Sequence, residues 1–301
     1  MLPYYALIVL STVMFGTNFI CKDVYRRYRG ASVTISLQYT LISCAVSLVL
    51  FLAMNGFRFD CTPFLFVMSL LSALVGFGFT YFSFKSLGVI NLSLYSLFSM
   101  LGGMVLPFLQ GILFFGEPVT VANLICFTLI VLALLITVDF GGEKKRGGTV
   151  FYIGVFVLNG TSGVLAKILN SAPFDKGSSP AVSYSVISGF ISLLISGLLL
   201  LYFTNKNESP LPKITLKSNL VCGASGVINR VANYVLVLAL VYVPSSVQYP
   251  MVTGGVMIFS TLACFVMKNK PSKREMISVA VAFVALVILV LPFLDIKLFS
   301  I

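Results

Sequence analysis

The sequence predicts an all-α, polytopic membrane protein of ten transmembrane helices, arranged as two inverted five-helix repeats. Three observations carry this expectation. First, of 301 residues 58% are hydrophobic and 10% charged, at a mean hydropathy of +1.04, whereas soluble domains carry roughly 25% charged residues. Too much apolar surface is present for a soluble interior, and lipid must cover the remainder. Second, the apolar residues come in runs of about 20, the length that crosses a bilayer as a helix. Third, a glycine-pair segment recurs 152 positions further on.

Charge, Pro and Gly punctuate the runs and place spans at 4–25, 32–53, 64–87, 90–115, 119–138, 150–170, 180–204, 217–242, 245–267 and 274–294. Strand-type alternation is absent, and membrane depth admits only helices or closed barrels. Met1–Tyr4 contains no Lys or Arg, so the first run reads as helix one and not as a signal peptide. The first span carries FGTNF (Phe15–Phe19), the second Gln38 and Tyr39, and the third Gly76, Gly78 and Tyr81. The fourth holds Tyr95, Gly102, Gly103 and Pro107, where a kink is expected because proline removes a backbone bond. GEPVT (Gly116–Thr120) then leads into the fifth, and the basic loop GGEKKRGG (Gly141–Gly148) divides the chain.

Beyond that loop the pattern returns. The sixth span has NGTSG (Asn159–Gly163), sharing Gly-Thr with the first. The ninth has YPMVTGGVMIF (Tyr249–Phe259), answering YSLFSMLGGMVLPF (Tyr95–Phe108) in the fourth, and NKPS (Asn269–Ser272) follows it as GEPVT follows the fourth. Two units are expected, residues 1–140 and 149–301. Five spans is an odd number, so the second unit runs through the membrane inverted relative to the first. Inverted repeats are a transporter signature, with the substrate held between them near the bilayer midplane.

Several chemistries are excluded at this stage. Histidine is absent and the six cysteines are scattered, without metal-ligand spacing, so no cofactor, metal or disulfide is expected. The nine acidic residues fall in loops or at span ends on this map. An enzyme would need a nucleophile with a base, or a metal, and neither is evident. The net charge of +11 resides in short loops, where it sets membrane orientation and does not suggest nucleic acid.

FGTNFICK (Phe15–Lys22), KSLGVINLSLYSL (Lys85–Leu97) with Gly116-Glu117, and VPSSVQYPMVTGGVMI (Val243–Ile258) together resemble the drug/metabolite transporter superfamily, EamA type. The resemblance covers essentially the whole chain and implies ten helices from two repeats and solute transport. The last segment also resembles the small multidrug resistance proteins. Those relatives place a proton-coupling carboxylate three residues before the first-helix Gly-Thr. Here Val13 and Val157 stand at the matching positions. Proton-coupled export of cations is therefore disfavoured, and a uniporter or exchanger is expected.

Arg230 is the sharpest candidate for ligand binding. It lies near the middle of the eighth span, where an Arg costs roughly 2.5–3.5 kcal/mol on insertion scales and normally faces a protein interior or a wet cavity. A guanidinium pairs with carboxylate or phosphate in bidentate fashion; the competing reading is an Arg that only fixes packing. Asn229, Asn233 and Tyr234 adjoin it, and Asn18, Gln38, Tyr39, Tyr81, Tyr95, Gln248 and Tyr249 are candidates to line the same cavity. Each of these is equally suited to an ordinary interhelical hydrogen bond. Lys22, Lys85 and Lys167 lie near span ends, within snorkelling reach of the interface. The expected function is transport of a small metabolite carrying an anionic group, across the cell membrane, with lipid and the solute as partners and a monomer sufficient. The alternatives are a flippase for lipid or a lipid-linked substrate, and a multidrug exporter of the same fold.

Orientation sets two arguments against each other. The odd-numbered connections carry fifteen of the twenty Lys and Arg residues and the even-numbered side four, so the positive-inside rule puts both termini outside. The resemblance to ten-helix relatives implies the opposite, since they more often have both termini cytoplasmic. The charge bias acts directly on insertion, and we expect a C-terminal reporter that fluoresces only in the cytoplasm to stay dark; a bright reporter reverses the assignment.

Overall fold

The computed structural model describes residues 2–54, 59–116, 121–137, 146–171, 180–207, 215–240 and 245–290. These form ten helices with no strand among the described residues: α1 (Leu2–Arg29), α2 (Val33–Met54), α3 (Pro63–Val89), α4 (Leu92–Phe115), α5 (Val121–Thr137), α6 (Arg146–Ser171), α7 (Pro180–Asn207), α8 (Leu216–Leu240), α9 (Ser245–Val266) and α10 (Lys273–Val290). Among the described residues, six (α1–α4, α6 and α7) contain a stretch long and apolar enough to cross a membrane. The chain is a multi-pass membrane protein.

Local chemistry places the breaks. Gly30, with φ +93°, turns α1 into α2 while its N–H still bonds Arg26 O at 2.7 Å. Thr62 caps α3 by accepting from Leu65 N at 3.2 Å, with Pro63 in the first turn where its missing N–H costs nothing. Two extended residues, Ile90 and Asn91, separate α3 from α4, and Asn91 caps α4 by accepting from Leu94 N at 2.9 Å. α4 continues through Pro107. α1 runs four residues past its expected end at 25, because Asp23 bonds Arg26 at 2.8 Å and Arg27 at 2.9 Å along the helix face. Asp23 thus lies inside a helix, 2% exposed, not at its end.

The packing follows a circuit that alternates between the two halves of the sequence. α1 packs on α8, α8 on α2, α2 on α7, α7 on α3, α3 on α6, α6 on α4, α4 on α9, and α9 on α1 again. α5 and α10 pair with each other outside this circuit, with α10 also against α9 and α4. Side chains of the first-half helices meet across it: Tyr25 stacks on Phe84 (5.9 Å) and meets Tyr39 edge-on (5.1 Å), and Phe19 meets Tyr95 (5.1 Å).

Backbones approach closely at several glycines, Gly102 on α4 and Gly226 on α8 among them. A Cβ at Gly102 would run into the carbonyl of Phe156 on α6, and one at Gly226 would lie 2.7 Å from Ser43 O and 3.0 Å from its Cα on α2. Small residues at such contacts let membrane helices pack where no hydrophobic effect drives them together. Gly76 on α3, by contrast, faces open space. Gly226→Val is expected to lower stability by about 1–3 kcal/mol, while Gly76→Val leaves it near wild type; thermal unfolding of the two purified variants in one detergent checks this.

Candidate functional site

Midway along α1 and α8 a polar chain joins three helices. Ser225 on α8 donates to Asn18 Oδ1 on α1 at 2.5 Å. Its single proton is then committed, so the Tyr39 hydroxyl on α2 donates to Ser225 Oγ. Asn18 Nδ2 passes the chain on to Asn229 Oδ1 on α8 at 3.4 Å. Cys222 Sγ reaches Tyr39 O at 3.2 Å, and Ser11 Oγ bonds Ala232 O at 2.8 Å. Asn18, Tyr39 and Ser225 are all buried. The Asn229 amide donors bond no acceptor among the described residues.

Arg230 sits next to this chain. Its guanidinium lies 5.6 Å from the Phe51 ring centroid on α2 and within charge range of Cys44 on α2 and Tyr184 on α7. It is half-buried, and no carboxylate or hydrogen-bond acceptor engages it among the described residues. Tyr184 is tied in turn to α3, where Ser69 Oγ bonds its carbonyl at 3.3 Å.

A second cation flanks the chain on the other side. Lys22 lies one helical turn beyond Asn18 on the same face of α1. It is only 5% exposed, and its Nζ stands 4.5 Å from the Phe79 ring centroid on α3, across the circuit of helices. No acceptor pairs with it among the described residues; the neighbouring Asp23 is bonded to Arg26 and Arg27. The expectation that Lys22 snorkels to the interface does not hold: it points inward. Lys85 rests on Tyr81 (5.8 Å), and Lys167 reaches Pro107 O at 3.3 Å.

Of the residues expected at the site, Asn18, Tyr39, Asn229 and Arg230 come together. Gln38 is buried elsewhere, accepting from Arg29 at 2.7 Å. Tyr95 is fully buried against Phe19 and bonds Ser83 at 2.9 Å, on the α1–α3–α4 side. Tyr81 packs edge-on with Phe82 and does not join the cluster. Asn233 and Tyr234 are exposed, and Asn233 bonds its own helix at Asn229 O (2.7 Å). The side chains of Gln248 and Tyr249 lie outside the described residues. Ser225, the hub, was missed, and Lys22 was read only as a weaker candidate able to snorkel. Both follow from helical spacing, Ser225 from the stripe 225–229–233 and Lys22 from 18–22. Val13 and Val157, at the positions of the coupling carboxylate, are exposed. Among the described residues no group of metal ligands forms.

No protein-family model and no curated protein matches the chain. Solved structures do match its fold. One, described as "Crystal structure of protein", aligns over 96% of this chain and 98% of its own, with a TM-score of 0.59 and 17% identity. At that identity the likeness concerns the fold alone.

Removing the hub tests the polar chain. Ser225→Ala leaves Asn18 and Tyr39 without their partner and should destabilise by about 1–2 kcal/mol. In a double-mutant cycle with Tyr39→Phe, a coupling of about 0.6–1.7 kcal/mol is expected, read from unfolding midpoints; strict additivity contradicts the chain.

Proposed function

We infer that the protein transports a small metabolite bearing a carboxylate or phosphate, by alternating access between two inverted five-helix repeats of the EamA type. The observation that carries this reading is the pair of uncompensated cations, Lys22 and Arg230, flanking a satisfied polar chain inside a membrane bundle. Intramembrane charges are expensive and are retained for ion or substrate pathways. An anion entering between them would find two cations, the free amide donors of Asn229 and, among the described residues, no unpaired acid to repel it.

The packing pattern supports the repeats. Adding five to each helix number carries α1–α8 onto α6–α3, α4–α6 onto α9–α1, and α3–α7 onto α8–α2, while α2–α7, α4–α9 and α5–α10 map onto themselves. The mapping pairs α3 with α8, and α3 contains a long apolar stretch; on this reading all ten helices cross the membrane. α8 is less apolar because it carries Ser225, Asn229 and Arg230 towards protein. The cell membrane is the membrane we assign, and catalysis is not part of the reading.

Lys22 and Arg230 should each be separable from folding. In proteoliposomes loaded with a panel of organic acids and phosphorylated metabolites, exchange by the wild type is expected to persist without a proton gradient. Arg230→Gln and Lys22→Gln should each reduce it about tenfold or more, in line with loss of a charge-assisted hydrogen bond, with yield and thermal midpoint near wild type. Failure of Arg230→Gln to insert or fold would make the residue structural, and an absolute need for a proton gradient would remove the uniporter or exchanger assignment.

A further inference from the structure

One end of the bundle holds a cavity of about 880 Å³. Arg26 and Arg27 reach it from the end of α1, Asn91 from the α3–α4 break, and Lys268, Lys270 and Arg274 from the turn into α10. Five cations thus line it together with one acid, Glu275. That acid is already committed: its Oε2 accepts from Asn91 Nδ2 and from Ser272 N, both at 2.6 Å. The nearby Asp23 is likewise bonded to Arg26 and Arg27. The side chains of Lys268 and Lys270 bond no acceptor among the described residues.

Two details separate this cluster from loop charge that merely sets orientation, which needs exposure but no particular geometry. Lys268 is the only non-glycine with positive φ (+55°) among the described residues. It closes α9 in a Schellman-type cap, with Lys268 N bonding Phe265 O at 3.2 Å and Asn269 N bonding Cys264 O at 3.0 Å. Glycine is the favoured residue at that left-handed position, yet a lysine stands there and lines the cavity. Arg26 supplies the second detail. Its Nη2 is held at 2.8 Å by Asp23, which is 2% exposed, so the guanidinium is anchored in place at the cavity wall.

We propose that this cavity binds a phosphate group, held by Arg26, Lys268 and Lys270. Phosphate carries several acceptor oxygens and more than one charge, matching the excess of cations and the fork geometry of arginine. The volume falls in the range of small-ligand pockets, large enough for the group and what it is attached to. Both the headgroup of an anionic phospholipid and a soluble phosphate compound present this chemistry. The site stands apart from the Asn18–Ser225 chain and does not depend on the transport reading.

The test uses the full-length protein in phosphatidylcholine nanodiscs, with inorganic pyrophosphate as the soluble probe, and in nanodiscs containing phosphatidylglycerol as the lipid probe. At least one should raise the unfolding temperature of the wild type, since a ligand of the folded state stabilises it by mass action. Stabilisation by pyrophosphate identifies a soluble ligand, and stabilisation by phosphatidylglycerol alone a headgroup. Lys268→Gly should be at least as stable as wild type in phosphatidylcholine, because glycine relieves the left-handed residue, yet need about tenfold more probe. Lys270→Gln should weaken binding similarly. Lys206→Gln, which removes a cation packed on Tyr202 away from the cavity, should respond as wild type. The proposal falls if neither probe stabilises the wild type, if Lys268→Gly responds as wild type does, or if Lys206→Gln weakens the response equally.

Discussion

The bilayer interior offers no water, so a polar side chain at membrane depth is costly unless it finds a partner in the protein. Asn18, Tyr39 and Ser225 meet that demand only through one another, and the direction of the bonds is set by proton count: Tyr39 to Ser225, Ser225 to Asn18, Asn18 to Asn229. This chain fixes the axial register of α1 against α8 and of α2 against α8. Gly226 permits it, because any side chain there would hold the Ser43 backbone away. The rest of the circuit builds outwards from this three-helix unit, with each helix of one half wedged between two of the other.

Composition made the fold class legible, because lipid exposure leaves its mark on every helix. Helix ends were less so. Lys22, Asp23, Arg26 and Arg27 read as the charged border of a span near 25, but Asp23 neutralises two of its neighbours along the same helix face and lets α1 continue to Arg29. The α3–α4 break was better marked, since Asn91 is a strong capping residue and the chain is extended on both sides of the Ile90–Asn91 peptide.

The site was legible where it depends on one helix and hidden where it depends on two. The polar stripe of α8 follows from spacing, and Arg230 from its distance to both ends. Which way Lys22 turns depends on where α3 lies, and nothing local to α1 encodes that. Tyr81 failed for the same reason: its hydroxyl made it a candidate, but its face of α3 carries Lys85 and not the polar chain. A polar residue in an apolar helix signals a partner without saying which.

Tyr39 connects the polar chain to the aromatic cluster of Tyr25 and Phe84. Its hydroxyl donates to Ser225, while its ring meets Tyr25 and Phe84 edge-on, each with centroids 5.1 Å apart. α1 is tied in twice, through Asn18 to the hydroxyl's acceptor and through Tyr25 to the ring. Helices of the first half therefore cannot separate at the aromatic cluster without straining the bond that positions Asn18 beside Lys22. Because α1 and α8 run antiparallel, Lys22 lies one turn from Asn18 in one direction and Arg230 about one turn from Ser225 in the other. The two cations are thus about 13–14 Å apart along the helix axes by helical rise. A ligand bridging that interval would pull on α1 and α8 from opposite ends of the same polar chain. A ligand held there would act on one set of hydrogen bonds, which is the physical requirement for binding to bias a two-state bundle.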